Sequence, residues 1–366
     1  MRVFSFIAKI SSTEYAIFED GVQVAGDVIE HAHSDLHAVL TPPEQGLFRY
    51  NALMKHIVTM GLSLAGTDLV VTQTGFEDLP PGIYLVDRNL LAFLQQNKID
   101  ENHLRSAAFV ANNLAEHVNR QYEDECLPLV VEPAAENELL PEATISGVKG
   151  VTRNPFFHVF SQRAAAYLYA DDVGKDPEEV RIVVAHLGTE ISVGAYELGR
   201  IVDSNSPLDG EGPLSPTTSG NLPVDALVRL CYSGKYDMDE MMRLINREGG
   251  LKAYLSSSKL ADVSQSWDSG DVTTRRMVSV MAYQVAREIG ARASVINANG
   301  KKLEAVVLTG PWALFEAFAS QVRERVAWIA PVVIHVWKSE LLILAVAAIE
   351  TFKGNNKILL FGSENG

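Results

Sequence analysis

Residues 186–194 read HLGTEISVG. A strand-like run, VRIVVAH, leads into this stretch and ISVGAYELGRIVD leads out, so it reads as the turn of a β-hairpin that could approach a phosphate. The turn carries Thr189 and Glu190, where backbone N–H groups free to meet phosphate oxygens would call for glycines. DGEGPLSP at 209–216 places Gly210 and Gly212 on either side of Glu211 and reads either as a ligand-approaching loop or as a surface turn. VVLTGP at 306–311 is a buried strand ending in Thr309 and Gly310. Nucleotides bind at such ends in α/β proteins, although Pro311 removes one N–H donor.

His158 (PFFHVF) and His186 (VAHLG) adjoin apolar runs and read either as hydrogen-bonded core histidines or as catalytic ones. Glu132 ends the strand LPLVVEP, a position that suits a Mg²⁺-facing carboxylate and equally an exposed strand end. The sequence has no His/Cys cluster of zinc spacing, no nucleophile-elbow serine and no Walker A motif.

These residues need elements to hold them. The 366 residues suit two domains. A net charge of −15 argues against nucleic-acid or anionic-membrane partners, while leaving room for a local phosphate site. The two cysteines, Cys126 and Cys231, sit in apolar surroundings (ECLPLVV, LVRLCYSG) and are expected as reduced thiols of a cytoplasmic protein. The longest aliphatic run, LLILAVAAI at 341–349, is too short for a membrane span and predicts a buried helix segment.

The chain opens as a three-stranded antiparallel meander turning at Asp20-Gly21. A helix over 43–62, a strand at 68–73, helices near 88–97 and 102–121 and a strand at 127–133 follow. The second half restarts with a helix at 157–171 and three strands. Helices over 223–232, 238–247, 259–266 and 272–298, the strand EAVVLTG, one helix from Pro311 to Ile329, a strand PVVIHVW and a final helix complete it. This is the pattern of a duplicated βββαβαβα core. The predicted domains are 1–155 and 156–339, with the C-terminal helix at 340–360 as a candidate to complete the first.

These pieces resemble the butyrate kinases, a branch of the acetate kinase-like carboxylate kinases, through most of the chain. The resemblance is densest over 180–260, in GEGP, SG-LP, L-CYSGKY and GGL-AYL, and extends to ATISGV (143–148), PFFHVFSQRAAA (155–166) and VVLTG (306–310). It implies a duplicated ASKHA fold (actin-, sugar kinase- and RNase H-like) with mixed sheets and a central cleft. It also implies reversible phosphoryl transfer between Mg-ATP and a short-chain carboxylate such as butyrate, and a homodimer. By this resemblance His158, His186 and Glu132 stand at the phosphoryl group. Gly188, Gly210, Glu211, Gly212, Thr309 and Gly310 surround the nucleotide. Arg153, Gly82 and Tyr84 bind substrate, and Glu132 and Glu340 stand near the metal.

The departures from the family pattern fall at these places. The first hairpin, Asn-Pro-Gly-Ser-Thr-Ser-Thr-Lys in the family, is IAKISSTE here, with Lys9 for the Gly and Glu14 for the Lys. The second, His-Leu-Gly-Gly-Gly-Ile-Ser, is HLGTEIS, which puts a Cβ at 189 where the backbone calls for φ > 0 or close approach. Thr218 replaces an Arg, Gln73 replaces another, Ser161 replaces an Asn, and Pro311 follows Thr309-Gly310 in place of a Gly. Lys9, Arg153, Arg163 and Lys338 are candidates to restore positive charge. The expectation is an impaired carboxylate kinase; the alternative is a catalytically inactive member that binds a ligand or a protein.

Overall fold

The computed structural model describes residues 1–9, 11–32, 41–73, 82–95, 102–131, 138–153, 158–296, 302–336, 339–354 and 357–362. The chain divides into two compact units, Met1–Asn137 with Lys338–Gly366, and Glu138–Trp337.

The first unit contains β1 (Arg2–Ala8), β2 (Ser12–Glu19), β3 (Val22–Glu30), α1 (Pro42–Thr59), β4 (Leu69–Gln73), β5 (Ile83–Leu85), α2 (Arg88–Leu94), α3 (Asn102–Tyr122) and β6 (Leu127–Val131). In the second lie α4 (Val159–Asp172), β7 (Arg181–Leu187), β8 (Ile191–Glu197), β9 (Arg200–Ser204), α5 (Val224–Cys231), α6 (Met238–Asn246), α7 (Gly250–Leu255), α8 (Leu260–Asp268), α9 (Val272–Ile296), β10 (Ala305–Thr309), α10 (Glu316–Val326) and β11 (Val332–Ile334). Then α11 (Glu340–Phe352) and β12 (Ile358–Leu359) return to the first unit.

The two sheets repeat one plan. In the first the order is β12-β5-β6-β4-β1-β2-β3, and in the second β11-β10-β7-β8-β9. Each has an antiparallel meander (β1-β2-β3; β7-β8-β9) whose first strand pairs in parallel with a later one (β4; β10), which pairs in parallel with the next (β6; β11). Parallel neighbours need helical crossovers, and these cover the sheet faces. The strands β4, β7 and β10 are buried along nearly all their length, which accounts for their unbroken aliphatic runs. The core of the first unit joins Phe4, Phe6, Tyr15 and Ile17 to α1 and α3. The core of the second packs Val183, Val193 and Leu308 against Val278, Met281, Val285 and Ile289 of α9 and Phe318 and Val322 of α10. The apolar run of α11 is buried through Leu341, Leu344, Ala345 and Ala348.

Several local expectations are corrected. The helix expected from Pro311 is broken: residues 311–314 form one 3-10 turn, and α10 starts at Glu316. Buried Trp312 anchors the turn by edge-on contacts with Phe315 and Phe318. β5, β12 and α7 are too short for their periodicity to stand out in sequence. Cys231 is exposed, whereas burial pushes the Cys126 thiol up to about 12. The stretch 138–153 hydrogen-bonds within the second unit, Leu140 N–H donating to Val202 O and the Arg153 guanidinium to Ser204 O.

Candidate active site

The second unit builds its candidate site on the β7–β8 turn. Strand pairing runs to Leu187 opposite Ile191, and the Gly188 N–H donates to Glu190 O at 3.2 Å, closing a three-residue loop. Neither Thr189 nor Glu190 has a positive φ, so the sequence-based expectation of backbone strain at Thr189 does not hold. The tip is tied down from the SPTTSG turn: Thr189 O accepts from Ser215 Oγ (2.7 Å), Thr217 Oγ1 (3.0 Å) and Thr217 N–H (3.3 Å). Thr218, where the resemblance calls for an Arg, is fully buried and bonds Ser215 Oγ at 2.8 Å.

Two imidazoles stack beside this loop. His186, the penultimate residue of β7, and His158, immediately before α4, lie with ring centroids 4.0 Å apart and planes 21° from parallel. His186 is buried, and its Nδ1 has no hydrogen-bond partner among the described residues. Burial, reinforced by the neighbouring His158, holds its pKa well below the usual histidine value, so it is neutral. Gly188 lies against the ring: a Cβ there would come within 2.7 Å of His186 Nε2. His158 Nδ1 is 2.9 Å from the buried Ser192 Oγ on β8. On its other side, His158 Nε2 lies 4.0 Å from a Glu190 carboxylate oxygen, and that oxygen accepts a 2.9 Å hydrogen bond from Thr189 Oγ1. The two substituted turn residues therefore bond to each other and bring an acidic group beside a histidine.

Thr309 and Gly310 end β10 next to this pair, with Thr309 in register with His186. Gly310 has φ +86°, and a Cβ on it would meet Leu187 backbone atoms at 2.6–2.9 Å, so no other residue fits without displacing β7.

The Gly210-Glu211-Gly212 loop joins the site from β9. Gly210 and Gly212 take positive φ, and a Cβ on Gly212 would fall 2.3 Å from Asn205 Nδ2. Asn205 bridges loop and hairpin, its Nδ2 donating to Ile191 O (3.1 Å) and Glu211 O (3.3 Å) while its Oδ1 accepts from the Val193 N–H (2.7 Å). The Glu211 carboxylate is gripped by Arg153 through Nε (2.7 Å) and Nη2 (2.9 Å) and accepts from the Ser206 N–H (3.1 Å). Burial opposes its ionisation, but these bonds and the positive charges of Arg153 and Arg292 prevail and lower its pKa. Arg153 also bonds Ala143 O and Ser204 O and lies 3.6 Å from Asp203, which Arg292 holds at 2.6 Å. The guanidinium of Arg153 is thus spent on holding the loop. Arg163 is likewise engaged, in an ion pair with Glu138.

The remaining expected site residues lie in the first unit. Gly82 precedes β5 with φ +153°, and Tyr84 is buried within β5, in an apolar cluster with Leu90 and Val130. Glu340 opens α11, capped by Ser339. Glu132 and Lys338 lie outside the described residues. In the first hairpin, Lys9 Nζ pairs with Glu14 at 2.5 Å, and buried Arg49 donates to Ser12 O, Thr13 Oγ1 and Lys9 O. Among the described residues no group of three or more His, Cys, Asp or Glu could hold a metal ion; a Mg²⁺ carried by substrate phosphates needs only one or two protein carboxylates. No helix among them is long and apolar enough to cross a membrane.

Sequence reasoning passed over Ser192, Gln162 and Asn205. Ser192 lies opposite His186 in the β7–β8 pairing, and Gln162, in the first turn of α4, shares the Ser192 hydroxyl with His158.

Comparison with known proteins accords with this geometry. The acetokinase family profile matches residues 142–332. Butyrate kinase 2 of Clostridium acetobutylicum is 32% identical over 348 residues, covering 95% of both chains. A probable butyrate kinase of Listeria innocua is 33% identical over 333 residues, 90% of this chain and 91% of the relative. Among solved structures, Porphyromonas gingivalis acetate kinase has a TM-score of 0.74 at 15% identity, covering 95% of this chain and 99% of its own. A Francisella tularensis propionate kinase has a TM-score of 0.74 at 13% identity, covering 94% and 98%. The chain has the duplicated two-domain ASKHA fold and belongs to the acetokinase family, on its butyrate kinase-like side.

Proposed function

We propose that this chain is a butyrate kinase-like carboxylate kinase, transferring a phosphoryl group reversibly between Mg-ATP and a short-chain carboxylate such as butyrate, with activity attenuated at the β7–β8 hairpin. Family membership and the retained pair of histidines support the chemistry. One observation carries the attenuation: the Glu190 carboxylate lies 4.0 Å from His158 Nε2, where a phosphate hairpin needs donors and positive charge. As it stands, the hairpin is a poor fit for a polyphosphate. Phosphoryl transfer depends on charge neutralisation and alignment, and this chain offers a carboxylate at Glu190 and a buried hydroxyl at Thr218 in their place.

In this reading His158 and His186 face the transferring group. Gly188, Thr309 and Gly310 shape the nucleotide side, and Glu211, held by Arg153 between Gly210 and Gly212, fixes the adjoining loop. Gly82 and Tyr84 belong to the carboxylate pocket, and Glu132 and Glu340 to the metal side. The reading includes a cytoplasmic homodimer; α5, with no buried residue and with Val224 and Val228 exposed, offers apolar surface for it.

The test is acyl phosphate formation from Mg-ATP and C2–C5 acids, trapped as hydroxamate. Slow turnover with butyrate or a near homologue supports the reading, and no turnover at millimolar ATP overturns it. A second reading, a non-catalytic member that binds a ligand or a protein, is favoured by the Lys9–Glu14 pair, which neutralises the lysine of the first hairpin. Butyrate binding without nucleotide, in a protein that makes no acyl phosphate, selects it.

A further inference from the structure

We infer that Ser192 is a positioning residue that fixes the tautomer of the neutral His158 ring with the proton on Nε2, so that Nε2–H is the donor it turns toward an anionic ligand. The inference rests on counting protons around one buried oxygen. A serine hydroxyl has one proton to give and two lone pairs. Ser192 Oγ accepts from Gln162 Nε2 at 2.9 Å and, through a longer bond of 3.4 Å, from the His158 backbone N–H. With both lone pairs engaged, the hydroxyl proton points to the third neighbour, His158 Nδ1 at 2.9 Å. Nδ1 is then an acceptor, and the ring proton sits on Nε2, the nitrogen facing Glu190.

The surroundings of the Gln162 amide decide its orientation. Its oxygen has no hydrogen-bond donor and lies against Gly194, where a Cβ would come within 2.0 Å. A carbonyl oxygen tolerates the Cα–H groups of a glycine, whereas a flipped amide would press an –NH₂ there with no acceptor. The absent side chain at Gly194 is what gives Gln162 room to hold Ser192 in this role. The stack on His186 sets the plane of the His158 ring, and Ser192 sets which nitrogen carries the proton.

This deepens the proposed kinase reading by giving His158 a donor role at Nε2, but its test does not depend on turnover. Nitrogen NMR of protein labelled in the histidine rings, with His158→Gln to assign the signals, reads the tautomer directly. The natural protein at a pH where His158 is neutral is expected to show Nδ1 bare and Nε2 protonated. Ser192→Ala is expected to move His158 to a mixture or to the opposite tautomer, and Gln162→Leu, which frees one lone pair on Ser192, to shift it part of the way. A natural protein with the proton on Nδ1 overturns the inference, as does an unchanged tautomer in both variants. An Nε2–H tautomer in a protein that makes no acyl phosphate leaves this inference standing and removes the kinase reading; an Nδ1–H tautomer in an active enzyme does the reverse.

Discussion

Replacing Glu190 by Gln removes one negative charge from the hairpin while keeping its size. The carboxylate lies 4.0 Å from His158 Nε2, so a phosphate oxygen hydrogen-bonded to that nitrogen roughly at right angles to it sits about 5 Å away. At that distance and an effective dielectric near 20, one pair of like charges repels by roughly 3 kcal/mol. The Glu190 side chain is 31% exposed, and solvent and salt reduce this to about half. Two phosphoryl charges then disfavour binding by about 3 kcal/mol, close to a hundredfold in affinity. Calorimetric titration with Mg-ATP at fixed ionic strength is the assay: Glu190→Gln is expected to bind about a hundredfold tighter than the natural protein, with the gap narrowing as salt rises. Micromolar binding by the natural protein, or affinities within threefold of each other, would refute the electrostatic reasoning.

Other consequences follow from the same geometry. Gly310→Ala places a Cβ 2.6 Å from Leu187 O at φ +86° and is expected to destabilise the protein by about 3 kcal/mol, measured by urea unfolding. Arg153→Met leaves Glu211 without its main partner at the half-buried loop; it is expected to cost about 2–3 kcal/mol, and a double-mutant cycle with Glu211→Gln should recover part of that loss. Because the folded-state pKa of His186 is depressed, below about pH 6.5 the unfolded chain takes up a proton that the folded chain refuses. His186 therefore makes stability fall as pH drops below that value, and His186→Gln should shrink the difference between urea midpoints at pH 7.5 and 5.5.

The sheets and long helices were legible in sequence because their burial is nearly one-sided or complete. The RIVVAHL run of β7 and the aliphatic α11 can be read without any tertiary knowledge. Pro311 was legible as the loss of a donor, but the break it makes was not, because buried Trp312 and its aromatic partners hold the turn through distant contacts. At the site, His158, His186 and the substituted Thr189-Glu190 turn stood out by residue type. Their arrangement did not: the imidazole stack requires β7 and the start of α4 to come together, and no local pattern specifies that contact. Arg153 shows the same limit. By the resemblance Arg153 reads as a ligand for an anion, and only the fold reveals Glu211, Asp203 and two carbonyls around it.

The most direct test of a carboxylate kinase restrained at one hairpin is acyl phosphate formation by the natural protein beside a variant carrying Thr189→Gly with Glu190→Gly. The account predicts that restoring both glycines raises kcat/KM for ATP at least tenfold with butyrate saturating. Equal rates in the two proteins, or no turnover in either, would contradict it.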